Sequence, residues 1–259
     1  NLVSAIRLPN NLFTDNAGTE VGSDLIVLQK NLSKKEMSQD EGRLMTVATT
    51  DYQTAGRGQG TNTWESERGS NLLVSIRLHP RGLHASRQYA MTEAGALAVR
   101  DTVARLTGEA TIKWPNDIYV GDRKISGTLS ECDISGSTIK TCTLGIGINV
   151  NQRSFAGGAP NPVSIIQLTG RTTPTADVLD CLTDRIAHYA AMVDSGQYER
   201  LHNLYLGTLY RREGLYRYRD AGGEFMATTA TVRPEGPLVL RRADGRLSEY
   251  EFKEVKFII

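Results

Sequence analysis

The sequence predicts a mixed α/β body followed by a small all-β appendage. Three observations carry this. Apolar residues over 87–107 (Ala90, Met91, Ala94, Leu97, Ala98, Val103, Leu106) recur about every 3.6 residues, and Gly108 follows as a stop, which is the pattern of a packed helix. Runs at 44–50, 71–78, 111–114, 117–120, 124–131 and 138–150 are rich in β-branched and apolar residues and bounded by turn residues, so they read as strands. From Glu213 the chain changes to short strands split by Ala221-Gly222-Gly223, Pro234-Glu235-Gly236-Pro237 and Ala243-Asp244-Gly245, the rhythm of a small β-barrel. The expected division is 1–212 and 213–259.

Taken in order, Leu25, Leu28 and Leu32 recur at helical spacing, with Ser23 or Asp24 as the cap. Gly121-Asp122 marks a hairpin between two of the strands. Residues 153–163 are rich in glycine and proline, lack a period and read as a loop of lid size. Thr173-Pro174 opens another helix, with Leu179, Leu182, Ile186 and Val193 on its buried face, in a helical region reaching about to Tyr210. No internal repeat or low-complexity segment is present.

At 259 residues the chain suits one large domain, or a large and a small one. Hydrophobic residues at 39% and charged residues at 23% fit a soluble globular protein, and a formal net charge of +1 calls for neither DNA nor a membrane surface as partner. No run approaches the ~20 apolar residues of a membrane span. The start, N-L-V-S-A-I-R-L-P-N, is too short and polar for a signal peptide, and it lacks a methionine. Cys132, Cys142 and Cys181 are too widely spaced for a disulfide framework or zinc site, so they read as small buried hydrophobes in a reducing cytoplasm. Four scattered histidines give no histidine-based catalytic or metal site.

Three motifs carry chemistry. T-A-G-R-G-Q-G-T-N-T-W (54–64) places three glycines in five residues. It is not a Walker loop, because no Gly-Lys-Ser/Thr follows, and no helix opens after it as a dinucleotide fingerprint requires. A ligand loop with Arg57 and Gln59 as donors and Trp64 as an apolar face, or a plain connector, both fit. In K-W-P-N-D (113–117) Lys113 stands at a strand end, turned inward toward an anion or outward to solvent. In G-I-G-I-N-V-N (145–151) the glycines weaken a strand unless something approaches its backbone closely, and a bulge is the plain alternative.

In this order and spacing, with R-K-I-S-G after K-W-P-N-D, the three motifs resemble the biotin protein ligases, and the likeness runs from about Gly22 to Ile259. The resemblance implies a mixed sheet with helices on one side, related to class II aminoacyl-tRNA synthetases, and a small C-terminal β-barrel. It implies that biotin and ATP, with Mg2+, give biotinyl-5′-AMP, and that the biotinyl group then passes to one lysine of a biotin carboxyl carrier domain. It implies ligand roles residue by residue. Gln53 and the Gly56 amide bond the ureido ring, while Arg57, Gly58 and Gln59 cover biotin and the acyl phosphate. Lys113 bridges the biotin carboxylate and the α-phosphate, with Asn116 also at the ligand. Gly127 and Gly145 allow close approach, Asn149 reads the adenine, and Trp64 packs beside the nucleotide. Ser23 contacts biotin, and 153–163 close as a lid. No metal-ligating residue is implied.

Two departures stand out. Gly22-Ser23-Asp24 replaces a frequent Ser-Thr-Asn, and Gln59 replaces a frequent arginine. About 20 residues precede the first expected helix, too few for the helix-turn-helix of the repressor-type members, so operator binding is not expected. Monomer and strand-edge homodimer both fit the family. The alternatives to a biotin ligase are a lipoate ligase, which shares the fold, and a protein that binds biotin or its adenylate without transfer.

Overall fold

Short apolar runs separated by turn residues build the sheets. The computed structural model describes residues 2–7, 24–28, 45–51, 56–57, 63–64, 66–156 and 161–259. Strands β1 (Leu2–Arg7) and β2 (Asp24–Leu28) pair antiparallel. The helix expected over Leu25 and Leu28 is therefore not formed. Leu25-Ile26-Val27-Leu28 is a continuous apolar run with two β-branched residues, which favours an extended chain over the weak helical spacing of the leucines. Leu32 lies outside the described residues.

β3 (Met45–Thr50) is followed by a hairpin of β4 (Gly56–Arg57) and β5 (Thr63–Trp64), with Gly56 opposite Trp64. β6 (Leu72–Leu78), β7 (Thr111–Lys113), β8 (Asp117–Val120), β9 (Arg123–Ser135) and β10 (Thr138–Ile148) join β3 in a six-stranded sheet of order β3-β6-β10-β9-β8-β7. Every ladder of this sheet is antiparallel, where a mixed sheet was implied. β7 to β10 follow one another through tight turns such as the one at Gly121, whose φ is 56°, and such turns join antiparallel neighbours.

Helix α1 (Tyr89–Thr107) covers one face of the sheet, with Gly95 against Leu144 of β10. α2 (Ile165–Thr169), α3 (Thr175–Asp194) and α4 (Tyr198–Gly207) complete the helical layer, α3 and α4 packing on α1. α2 was not expected from the sequence. Its signal is the capping box Ser164/Gln167, whose side chains satisfy each other's backbone N–H groups. α3 begins just after Pro174, which is its N-cap residue. The core lies between sheet and helices, where Ile76, Leu144, Ile148, Leu97 and Val103 are almost wholly buried. Each such side chain contributes about 1.5–3 kcal/mol of hydrophobic stabilisation.

The C-terminal strands are β11 (Tyr216–Asp220), β12 (Gly223–Val232), β13 (Leu238–Arg242), β14 (Leu247–Tyr250) and β15 (Lys256–Phe257), in order β14-β13-β12-β11-β15. β14 and β15 are opposite edges, and no ladder joins them, so the expected barrel is an open sheet. A four-residue and a two-residue edge strand offer too little length for the staggered pairing that closure needs. The three cysteines are free, with Cys142 buried as expected but Cys132 and Cys181 only partly so. No helix among the described residues is long and apolar enough to cross a membrane.

Candidate active site

Period-two alternation gives the central sheet two unlike faces. On β10, Leu144, Ile146 and Ile148 are buried toward α1, so Gly145 and Gly147 face the other way. Direct pairing puts Leu73 and Ser75 of β6, and Gly127 and Leu129 of β9, on that second face. Lys113 and Asp117 are paired across β7 and β8, and their neighbours Ile112 and Ile118 are fully buried on the helix side. The sheet thus gathers Lys113 of K-W-P-N-D, Gly127 of R-K-I-S-G and Gly145 of G-I-G-I-N-V-N onto one surface.

Lys113 is half-buried, its ammonium 4.7 Å from the Phe257 ring centre and 5.6 Å from that of Tyr119. Burial pushes its pKa below the ordinary lysine value. Asp117 pulls it back up, and Lys124 and Arg211 push it further down. Among the described residues no carboxylate forms an ion pair with Lys113, because Asp117 binds Lys124 instead, at 2.7 Å. A partly desolvated cation with no directly paired carboxylate among the described residues is suited to receive an anion.

Gly127 lies beside that ion pair. A Cβ there would stand 3.4 Å from both Asp117 Oδ1 and Lys124 Nζ, whereas at Gly145 the nearest atoms would be 3.9 Å away. The tightest of the described glycines is Gly147, to which the sequence reading gave no role: a Cβ would stand 2.6 Å from the Trp64 ring. Trp64 therefore lies against the β10 backbone, and its buried indole Nε1 has no hydrogen-bond partner among the described residues. The G-I-G spacing was the available signal for Gly147.

Asn149 is buried directly after β10. Its backbone N–H bonds Ile125 O at 2.9 Å, its Nδ2 donates to Val163 O at 3.0 Å, and its Oδ1 has no partner among the described residues. The free oxygen is an acceptor suited to an exocyclic amine. Asn116 is also buried, and its Nδ2 donates to Thr128 O across the sheet, so its amide ties β9 to the K-W-P-N-D turn.

Arg57 and Gly56 are described in backbone only, in the hairpin that ends on Trp64. Ser23, Gln53, Gly58 and Gln59 lie outside the described residues. Of the expected lid, 157–160 also lie outside them. Its far end is not a free flap, because Lys124 N donates to Asn161 O at 2.8 Å and Val163 N donates to Lys124 O at 2.9 Å. Its near end is held by Asn71 and Gln152, two buried polar residues that sequence reasoning missed. Asn71 Nδ2 donates to Gln152 Oε1 at 2.5 Å, and Asn71 Oδ1 accepts from Val150 N at 3.0 Å. No group of three or more His, Cys, Asp or Glu that could hold a metal is present among the described residues.

Residues 23–149 match the Biotin/lipoate A/B protein ligase family. A biotin–[acetyl-CoA-carboxylase] ligase of Paracoccus denitrificans is 30% identical over 201 residues, which cover 75% of this chain and 83% of that protein. This chain belongs to the biotin protein ligases. The bifunctional ligase/repressor BirA of Bacillus subtilis is 36% identical over 109 residues, 42% of this chain and 33% of that protein. Among solved structures, the biotin protein ligase from Aquifex aeolicus in complex with biotin and ATP superposes with a TM-score of 0.66 at 22% identity, covering 82% of this chain and 89% of that one. The ligase from Leishmania major in complex with biotinyl-5-AMP gives 0.52 at 22%, covering 81% and 90%. The biotin protein ligase fold is thus shared over most of the chain.

Proposed function

We propose that the glycine-floored face of the central sheet joins biotin to ATP and passes the biotinyl group to one lysine of a biotin carboxyl carrier domain. The protein is an ATP-dependent biotin ligase. The observation that carries the site assignment is Lys113, a partly desolvated ammonium with no paired carboxylate among the described residues.

The chemistry suits such a site. The biotin carboxylate is ionised at neutral pH, since ordinary carboxyl groups titrate near pH ~4. Activation needs no base. It needs the carboxylate oxygen in line with the α-phosphorus and positive charge around the phosphate oxygens. The carboxylate forms a bond to the α-phosphorus, the bond to the β-phosphate oxygen breaks, and pyrophosphate leaves with the magnesium of the nucleotide substrate. Lys113 neutralises charge on the carboxylate and α-phosphate, aided by Arg57. Gln53, Gly56 and Ser23 hold biotin, and Gly58 and Gln59 cover it. Gly127 and Gly145 keep the floor low, Trp64 flanks the nucleotide, and the free Oδ1 of Asn149 accepts from the adenine amine. In the second step the amine of the carrier lysine attacks the acyl carbon and AMP leaves.

Residues 1–212 form the catalytic part in this reading and 213–259 an appended unit that reaches the site through Phe257. The three free cysteines suit the reducing cytoplasm. The relatives named above are biotin ligases, which favours biotin over lipoate. Incubation with labelled biotin, ATP, magnesium and an apo carrier domain should label one carrier lysine. Absence of label on the carrier, or equal use of lipoate in competition, would contradict the reading.

A further inference from the structure

The K-W-P-N-D motif is held by residues far away in sequence. The Tyr205 hydroxyl on α4 donates to Pro115 O at 2.7 Å, and the Tyr89 hydroxyl on α1 lies 2.9 Å from it. Trp114 Nε1 donates to Gly236 O at 2.8 Å, in the turn between β12 and β13. The Trp114 ring also packs on Phe252, with centres 5.9 Å apart. Gly236 has a φ of 122°, and a Cβ there would stand 2.9 Å from the Tyr89 ring, so the turn fits this place only as glycine. Tyr205 is fully buried and Trp114 nearly so, which leaves both groups no water to bond instead.

We propose that Tyr205 is a positioning residue for adenylate formation: by holding Pro115 O it fixes the backbone that carries Lys113, with the Trp114–Gly236 bond as the second hold. The proposal rests on the assignment of Lys113 given above. Lys113 reaches its place from the last residue of a three-residue strand, and Trp114 and Pro115 follow it at once. A strand this short cannot by itself fix the direction of a long side chain. Two hydrogen bonds, one from the helical layer and one to the C-terminal sheet, lock the peptide units on its C-terminal side. The Lys113 ammonium meanwhile lies over Phe257, so the C-terminal sheet touches both the lysine and its support. Tyr89 contributes through Tyr205, and its hydroxyl is one bond further from the motif.

The test compares Tyr205→Phe with Tyr89→Phe. Each change keeps the ring and removes one hydroxyl, and both break the Tyr89–Tyr205 bond. Only Tyr205→Phe frees Pro115 O. Biotin-dependent pyrophosphate exchange and melting temperature are read for both, with Lys113→Ala as reference. Tyr205→Phe should lower kcat about tenfold, with KM for biotin and ATP within about twofold, because misplacement of a reacting charge acts on the transition state. Tyr89→Phe should lower kcat less than about threefold; it loses one buried hydrogen bond and Tyr205→Phe loses two, so Tyr205→Phe melts lower, and kcat is compared at a temperature where both variants are fully folded. At that temperature a merely structural role would leave kcat the same in both. Equal loss of kcat in the two variants, or wild-type kcat in Tyr205→Phe beside a strongly impaired Lys113→Ala, overturns the proposal alone. Wild-type exchange in Lys113→Ala overturns it together with the site assignment. If Tyr205→Phe does not fold, Trp114→Phe, which removes the bond to Gly236, must show the same fall in kcat at unchanged KM or the proposal fails.

Discussion

The two faces of the central sheet are made by the same strands and do opposite things. Toward α1, Ile146 and Ile148 pack into an apolar layer in which nearly every atom has a neighbour. One residue away, Gly145 and Gly147 carry no side chain, which lets the Trp64 ring lie against the backbone at Gly147, and among the described residues the surroundings hold a lysine with no paired carboxylate, an asparagine oxygen and an indole nitrogen without hydrogen-bond partners. Unsatisfied polar groups cost about 1–3 kcal/mol each when buried, so a fold that only had to be stable would not collect them on one face. The helix-covered face holds the protein together, and the glycine face is the one we propose for binding.

This contrast can be broken by substitution. The largest effect is expected at Lys113. Lys113→Ala should slow adenylate formation about 100- to 1,000-fold while the melting temperature stays near wild type, because a charge acting on the transition state is lost and relief of the buried ammonium offsets its lost contacts with Phe257 and Tyr119. Next, the neighbours Ile146 and Gly147 should separate. Ile146→Ala should cost about 2–5 kcal/mol in denaturant unfolding with KM unchanged. Gly147→Ala should leave stability nearly intact but raise KM for ATP roughly tenfold, since the new Cβ displaces Trp64. If Gly147→Ala destabilises as much as Ile146→Ala, the division between the faces fails. Asn149→Ala should raise KM for ATP by about tenfold or less and leave KM for biotin alone, as measured by varying each substrate in turn.

The smallest effect lies in the helical layer. Glu93 of α1 is buried against His202 of α4, with Oε1 2.6 Å from Nδ1. The bond to Glu93 raises the His202 pKa above its ordinary 6.5, and burial raises that of Glu93 against the opposing pull of His202. Both shifts mean that the folded state binds protons more tightly than the unfolded one. The His202 contribution is complete below pH 6.5 and is lost as pH rises through the raised His202 value, whereas the Glu93 contribution is complete only below pH 4.5 and is lost as pH rises through the raised Glu93 value. The melting temperature should fall by about 2–4 °C more in wild type than in His202→Gln over the rise through the His202 value. An equal fall in both would remove the pair from the account.

Much of this contrast was legible in the sequence. Alternation of Ile146, Gly147 and Ile148 separates the faces without a structure, and the 87–107 stripe gives the helix that covers one of them. The three motifs suggested a candidate site because each is local. What was not legible depends on distance or on competition between weak signals. The Tyr205–Pro115 and Trp114–Gly236 bonds join residues 90 and 122 positions apart, and no short pattern encodes them. Asn71, at the edge of the 71–78 strand run, and Gln152 give no local signal of pairing until both are seen buried against each other. The misread Leu25–Leu28 run and the unclosed barrel share one cause: short segments carry little periodicity, so pairing partners decide their conformation.

The central claim is that biotin and nucleotide lie on the glycine face. A crystal structure with biotin and a non-hydrolysable ATP analogue tests it most directly. The account predicts the biotin carboxylate and α-phosphate at Lys113 Nζ, with biotin over Gly127 and Gly145 and the adenine at Trp64 with its amine on Asn149 Oδ1. Ligand density elsewhere, with Lys113 still over Phe257, would contradict it.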